Sequence, residues 1–331
     1  MKHRHLSIAI ILTISLLTSC SSNKNEESPK TPAKPENIIR LDQILENYNS
    51  LDSINRVKTL TDNKIIIDKY LQIIGKDSTS DQTLTLLSAS RMVKMFGNAV
   101  NKEYKDLAPE QQQLGNIITR GHEQGLKFDQ TTYVATIWGQ PKSIIFNNGV
   151  MYIALNHYLG PNHEAYNGIP EYERRTKTRA NIPYDMAEAL IATTYPISES
   201  NTTVLSHLLY QGAIAQAKML LLDNPSEAMA LGFTEAQFKD IAKNERFMWE
   251  RLLNDDMIHS SDPIIISSLF SPSPVTGIIS PDAPGRAVRY IGYRIVKSYL
   301  RQHPDTQLSQ LLSPKFYNNP STLAQSSYQP Q

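Results

Sequence analysis

The chain has 331 residues, a net charge of +1 and a single cysteine, Cys20. Lys and Arg (33) nearly balance Asp and Glu (32), mixed along the chain without a basic stripe interleaved with aromatics, which argues against nucleic acid as a partner. One cysteine excludes an intramolecular disulfide, and outside Cys20 it leaves no thiolate for catalysis or for zinc.

The first five residues are a basic head, and residues 8–17 are an apolar run too short to be a lasting membrane span. The run ends in Leu17, Thr18, Ser19 and Cys20. Small residues before a cysteine, directly after an apolar stretch, look like the lipobox of a bacterial lipoprotein signal. Residues 1–19 are therefore expected to be removed, with Cys20 becoming the lipidated first residue. Covalent lipid contributes about 0.8 kcal/mol per buried CH₂, so several acyl chains hold a protein firmly to a membrane. Residues 20–37 carry three prolines and no large apolar residue, the composition of a disordered tether. Ser21 does not resemble an inner-membrane retention signal, which points to the outer membrane, and Glu26-Glu27 faintly resembles an acidic surface-export signal.

Residues 38–312 are expected to form one globular domain, followed by a flexible tail over 313–331. The stretch 38–124 reads as helical. Ile39, Leu41, Ile44 and Leu45 share one face, and Pro109 opens a later helix. Asp52-Ser53-Ile54 and Asp77-Ser78-Thr79 look like short O-glycosylation motifs, marking Ser53 and Ser78. Residues 131–138, 143–146 and 150–154 read as three strands of a small antiparallel meander joined by tight turns. Residues 182–223 then read as a hairpin of two helices, stopped at Tyr195-Pro196 and restarted near Thr203. A long helix over 233–257, an irregular proline-bearing passage and a last helix from Gly285 complete an α+β, mostly helical layout.

Strands followed by a helical hairpin are also the layout of zincin peptidases. Their chemistry needs His-Glu-x-x-His, because histidines four apart share a helix face and reach one zinc. The motif is absent here. Outside the signal, histidines stand at 122, 157, 163, 207, 259 and 303, none at paired ligand spacing. No cofactor or metal is expected. Asp185 and Glu188 are one helical turn apart, and such a pair can do acid–base work when its two pKa values are driven apart. The commoner arrangement is a salt-bridged face, here near Arg174, Arg175 and Arg179. Trp138 is expected to pack on the sheet and Trp249 in the core. No Gly-x-Ser-x-Gly elbow or phosphate-binding glycine loop is present.

Several stretches, taken in order, resemble the gliding motility lipoprotein GldB family. They are residues 133–138 with 153–160, then Ile169-Pro170-Glu171-Tyr172 with Arg174-Arg175, and Leu208-Leu209-Tyr210-Gln211-Gly212. Residues 232–237 with 244–249, and Pro284-Gly285-Arg286 with 290–296, continue the match, so the resemblance covers roughly residues 38–305. It implies a zincin-like helical domain, distantly similar to zinc peptidases, in an envelope lipoprotein of gliding or secretion machinery with protein partners. Gln211 stands where the family often has glutamate, and Asn156 where it has aspartate; a neutral glutamine is no substitute for a carboxylate zinc ligand. Two functions follow. One is a non-catalytic lipoprotein whose interaction or vestigial site comprises Asp185, Glu188, His207, Gln211 and Arg286. The other is a metal-dependent hydrolase or peptidase with an atypical site around Asp185, Glu188 and His207.

Overall fold

A computed structural model describes residues 33–76, 79–198, 200 and 202–331. The lipobox with Cys20, the tether up to residue 32 and Ser78 lie outside the described residues. The final tether residues do not stand free. Gln112 Nε2 donates to the Ala33 carbonyl at 2.9 Å, and the Glu36 N–H donates to the Gln111 carbonyl at 3.0 Å. Gly115 admits this strand of chain, since a Cβ there would lie 2.0 Å from the Lys34 carbonyl oxygen.

The sheet is mixed, with one strand ahead of the first six helices and three strands after them. Strand β1 (Ile38–Arg40) runs into α1 (Leu41–Asn47), and α2 (Ser53–Asp62), α3 (Lys64–Ile73), α4 (Asp81–Ser88), α5 (Arg91–Glu103) and α6 (Ala108–Glu123) follow. Strands β2 (Thr132–Thr136), β3 (Ile144–Asn147) and β4 (Val150–Ala154) complete a sheet of order β1-β2-β4-β3. Only β3 and β4 form the expected hairpin. Their turn is Asn148-Gly149, both at positive φ, as a tight twisted hairpin requires. The β1–β2 and β2–β4 pairings are parallel. The three-strand meander is thus corrected: the chain from β2 passes β4 and enters on its far side. The expected helical face at Ile39 begins with the short edge strand β1 instead.

Strand periodicity divides the core. Tyr133, Ala135, Met151 and Ile153 face the larger helical core, whereas Val134, Val150, Tyr152 and Ala154 face a smaller one with Leu41, Leu45 and Tyr70. Every residue of β4 is buried, so its run of apolar side chains lacks the alternation of a half-exposed strand. Trp138 is fully buried in the smaller core, as expected, and donates its ring N–H to the Lys142 carbonyl at 3.0 Å.

The second half is helical. Short α7 (Glu171–Arg174) leads to α8 (Ile182–Thr194) and α9 (Val204–Leu221), the two helices expected over 182–223. Pro183 lies in the first turn of α8, and Thr203 with Ser206 forms a capping box on α9. Then come α10 (Glu227–Leu231), α11 (Glu235–Lys243), α12 (Glu245–Asn254), α13 (Pro263–Phe270) and α14 (Arg289–Gln302). The long helix expected over 233–257 is broken at Asn244, which closes α11 and opens α12. Trp249 is half-buried rather than central, edge-on to Tyr328 at 5.1 Å.

The principal neighbour of α9 is α14, not its hairpin partner α8. Residues 313–331, expected as a flexible tail, belong to the fold. After α15 (Leu308–Leu311) they form α16 (Pro314–Tyr317) and α17 (Thr322–Ser326), with Phe316 and Tyr317 buried. Tyr317 Oη accepts from the Ser198 N–H at 3.0 Å, pinning the loop between α8 and α9.

Candidate functional site

A cleft of about 730 Å³ opens where α8, α9, the end of α10, the start of α14 and the strand β3 meet. Asp185 and Glu188 project into it from α8, one turn apart. Lys218 comes from α9, Arg289 from the first turn of α14, Arg286 from the turn before it and Arg175 from the end of α7. Among the described residues, no group of three or more His, Cys, Asp or Glu side chains is placed to hold a metal ion.

Glu188 is the most tightly held acid of the site. Lys218 Nζ donates to its Oε2, and Arg289 Nη2 lies 3.4 Å from both of its oxygens. Lys218 and Arg289 are only 3% and 4% exposed, while the Glu188 side chain keeps 34% of its surface open. Burial alone would raise the Glu188 pKa; the two cations outweigh it and hold the carboxyl well below its usual range. Asp185 behaves oppositely. Burial raises it to about 6, although Lys218 and a 2.8 Å hydrogen bond from Tyr158 Oη favour its ionised form. The neighbouring Glu188 charge adds to the upward shift.

The salt-bridged face expected around Asp185 and Glu188 is therefore real for Glu188 but uses other partners. Arg179 turns away to Glu110, at 2.7 Å, and Arg175 makes no salt bridge among the described residues. Arg286 joins the two acids in the cleft, as does Arg175. His207 and Gln211 do not line it. His207 is half-buried on α9 with its ring 5.3 Å from that of Phe270, and burial lowers its pKa. Position 211 thus does not share a site with 185 and 188. The adjacent Gly212 packs on α14, where a Cβ would lie 2.3 Å from the Gly292 carbonyl oxygen.

Further cleft residues lie outside the expected set. Ser143 Oγ is 3.1 Å from His157 Nδ1, and the His157 ring is also hydrogen bonded to the Trp138 backbone. Burial, then the Lys177 charge, lowers the His157 pKa to about 4, so the ring is neutral at neutral pH. Beside it, Asn156 brackets the backbone of one residue: its Oδ1 accepts from the Trp138 N–H at 3.2 Å and its Nδ2 donates to the Trp138 carbonyl at 2.9 Å. An aspartate could not do both while ionised. This pairing gives a physical reason for asparagine at 156. Lys218 had a visible signal, a lone cation within the run of 212–222, which apart from Gln216 is otherwise apolar or small. Ser143, Tyr158 and Arg289 had none, because their neighbours in space are distant in sequence.

The family model for gliding motility protein GldB matches residues 22–330. The chain belongs to that family. No curated protein and no solved structure matches it. GldB membership agrees with the ordered motifs, and the cleft now gives several of them a place. Arg175 and Arg286, from the Arg174-Arg175 and Pro284-Gly285-Arg286 motifs, both line it. No helix among the described residues is long and apolar enough to cross a membrane.

Proposed function

We propose that this GldB family member is a non-catalytic lipoprotein with a degenerate peptidase-like fold, tethered through lipid on Cys20 and serving gliding or secretion machinery at the outer membrane. The observation that carries the non-catalytic reading is the state of Glu188. Its carboxylate is neutralised by two buried cations, and a hydrolytic metal has no cluster of ligands among the described residues. The protein acts by holding envelope partners. Labelling cells with a radioactive fatty acid tests the tether: the label is expected on the wild-type chain and absent from Cys20→Ala. Affinity capture of the full chain from detergent-solubilised membranes tests the assembly. Recovery of envelope proteins is expected; a chain that takes up no label and recovers none overturns the reading.

One observation favours a hydrolase as the second reading. Ser143 lines the cleft, and the buried His157 behind it stands at hydrogen-bond distance, a nucleophile beside a neutral base. This differs from the site around Asp185, Glu188 and His207, since His207 lies outside the cleft. A fluorophosphonate probe distinguishes the readings: labelling that disappears in Ser143→Ala supports a serine hydrolase, and no labelling supports the non-catalytic protein.

A further inference from the structure

We infer that the cleft binds a small organic oxyanion, a phosphate monoester or a carboxylate, held between Arg175 and Arg286. Cationic side chains lining the cleft outnumber carboxylates two to one. Lys218 and Arg289 are matched by Glu188, but Arg175 and Arg286 form no salt bridge among the described residues. The Nε atoms of Arg175, Arg286 and Arg289 are all buried without a hydrogen-bond partner. Buried guanidinium groups are ordinarily paired, and a bound anion with oxygens in a plane or tetrahedron suits their forked donors.

The arrangement is crowded in the absence of such an anion. Burial, then the charges of Arg289 and Arg175, pushes Arg286 down to about 10, against the opposing pull of the Glu188 and Asp185 carboxylates. Its backbone is held in the left-handed region at φ 64°, uncommon for a residue with a Cβ. The turn is braced to keep it there. A Cβ at Gly285 would lie 1.8 Å from the Ser273 carbonyl oxygen. Thr276 Oγ1 donates to the Pro284 carbonyl at 2.7 Å and accepts from the Ala287 N–H at 3.1 Å. A rigid turn thus presents a cation without a salt bridge to a cavity that five other cationic side chains already line.

The cavity volume suits a ligand of metabolite size. Ile144, Ala189, Ala192 and Phe233 give part of the wall an apolar character, able to cover an organic body behind the acidic group. The Tyr158 hydroxyl stays committed to Asp185, which leaves the arginines as the recognition elements.

Isothermal titration calorimetry on the full chain in detergent, at low salt, tests the site with glycerol 3-phosphate, inorganic phosphate and glutarate. Binding of a phosphate probe or of glutarate is expected, and the probe that binds identifies the acidic group. Arg175→Gln and Arg286→Gln are each expected to weaken it by about tenfold or more, the loss of a charged hydrogen bond, whereas Arg91→Gln on the exposed surface leaves it unchanged. Thermal melting without ligand separates binding from architecture. Arg286→Gln is expected to melt no lower than wild type, because it removes a crowded, unpaired cation. No heat of binding from any probe, or affinity unaltered by both cleft substitutions, overturns the proposal. Capture of envelope partners is a separate measurement, so either reading can fail alone.

Discussion

Gly212 of α9 and Gly292 of α14 meet backbone to backbone. A Cβ at 212 would lie 2.3 Å from the Gly292 carbonyl oxygen, and one at 292 would lie 2.0 Å from the Leu208 carbonyl oxygen. The crossing lets the two helices share the buried side chains of Leu208, Leu209, Ile291 and Ile295. Helices approach this closely only where small residues remove the side-chain layer between them.

Gly212→Ala and Gly292→Ala are therefore expected to destabilise the protein by about 3 kcal/mol, at the upper end of overpacking costs, because backbone cannot step aside as a side chain can. Urea unfolding measures the effect. A midpoint equal to wild type for both variants would show that the helices slide apart freely and that the crossing is not tight.

Asn156 supplies a test of the smaller core. Asn156→Asp is expected to lose the donation to the Trp138 carbonyl and to place an acid where Asn156 is 2% exposed. The cost is about 2–3 kcal/mol at neutral pH. The protonated acid can donate in place of the amide, so folding raises its pKa. The sign follows: the acid form's contribution is present below the unfolded value near ~4 and is lost as pH rises through the folded pKa. Melting curves of the variant should approach wild type in acid and separate as pH increases; a constant gap would show that the donated hydrogen bond is not the cause.

The helical hairpin and the β3–β4 turn were legible because they depend on local signals: apolar spacing, Pro183, the Thr203 cap and Asn148-Gly149. The parallel pairings were not. They depend on which distant strands meet, and a fully buried β4 gives no alternating pattern to reveal it. Asp185 and Glu188 were legible as a one-turn pair, whereas their partners Tyr158, Lys218 and Arg289 come from three other segments. The tail was misread because Phe316 and Tyr317 stand among polar residues, and their burial depends on the groove they fill.

Removing residues 313–331 is expected to destabilise the chain rather than trim a loose end. Tyr317 is 1% exposed, packs edge-on against Tyr210 with ring centres 5.6 Å apart, and anchors Ser198. Loss of the two buried aromatics alone removes about 3–6 kcal/mol of burial. The truncated chain should melt lower and cleave faster under limited proteolysis between α8 and α9; unchanged digestion of that loop would mean that the tail does not hold it.

Asp185 should make stability fall with rising pH. Its folded pKa, raised by burial to about 6, exceeds the ordinary aspartate value of 3.8. The stabilising contribution of the neutral form is complete below 3.8 and is lost as pH rises through 6. Asp185→Asn keeps an acceptor for Tyr158 and cannot ionise. It is expected to gain on the order of 1 kcal/mol relative to wild type at pH ~7 and little at pH ~4, after allowance for solvent in the cleft. Equal pH profiles for both proteins would place the titration elsewhere.

Lys218 and Glu188 should be strongly coupled. Glu188→Gln leaves Lys218 and Arg289 buried without their counter-charge, an expected loss of about 2–3 kcal/mol, less than for a fully enclosed pair because Glu188 is 34% exposed. Lys218→Met removes one of the two cations and leaves Glu188 its contact with Arg289, so its cost should be smaller. The double variant should recover part of the sum, with a coupling energy of about 1–2 kcal/mol. Acid supplies the sign. Glu188 is depressed below the ordinary glutamate value of 4.5, so its contribution is present above that pH and lost as pH falls through the folded pKa. The gap between wild type and Glu188→Gln should therefore close in acid. Additive losses, or a gap that persists there, would mean that the carboxylate and the lysine do not stabilise one another.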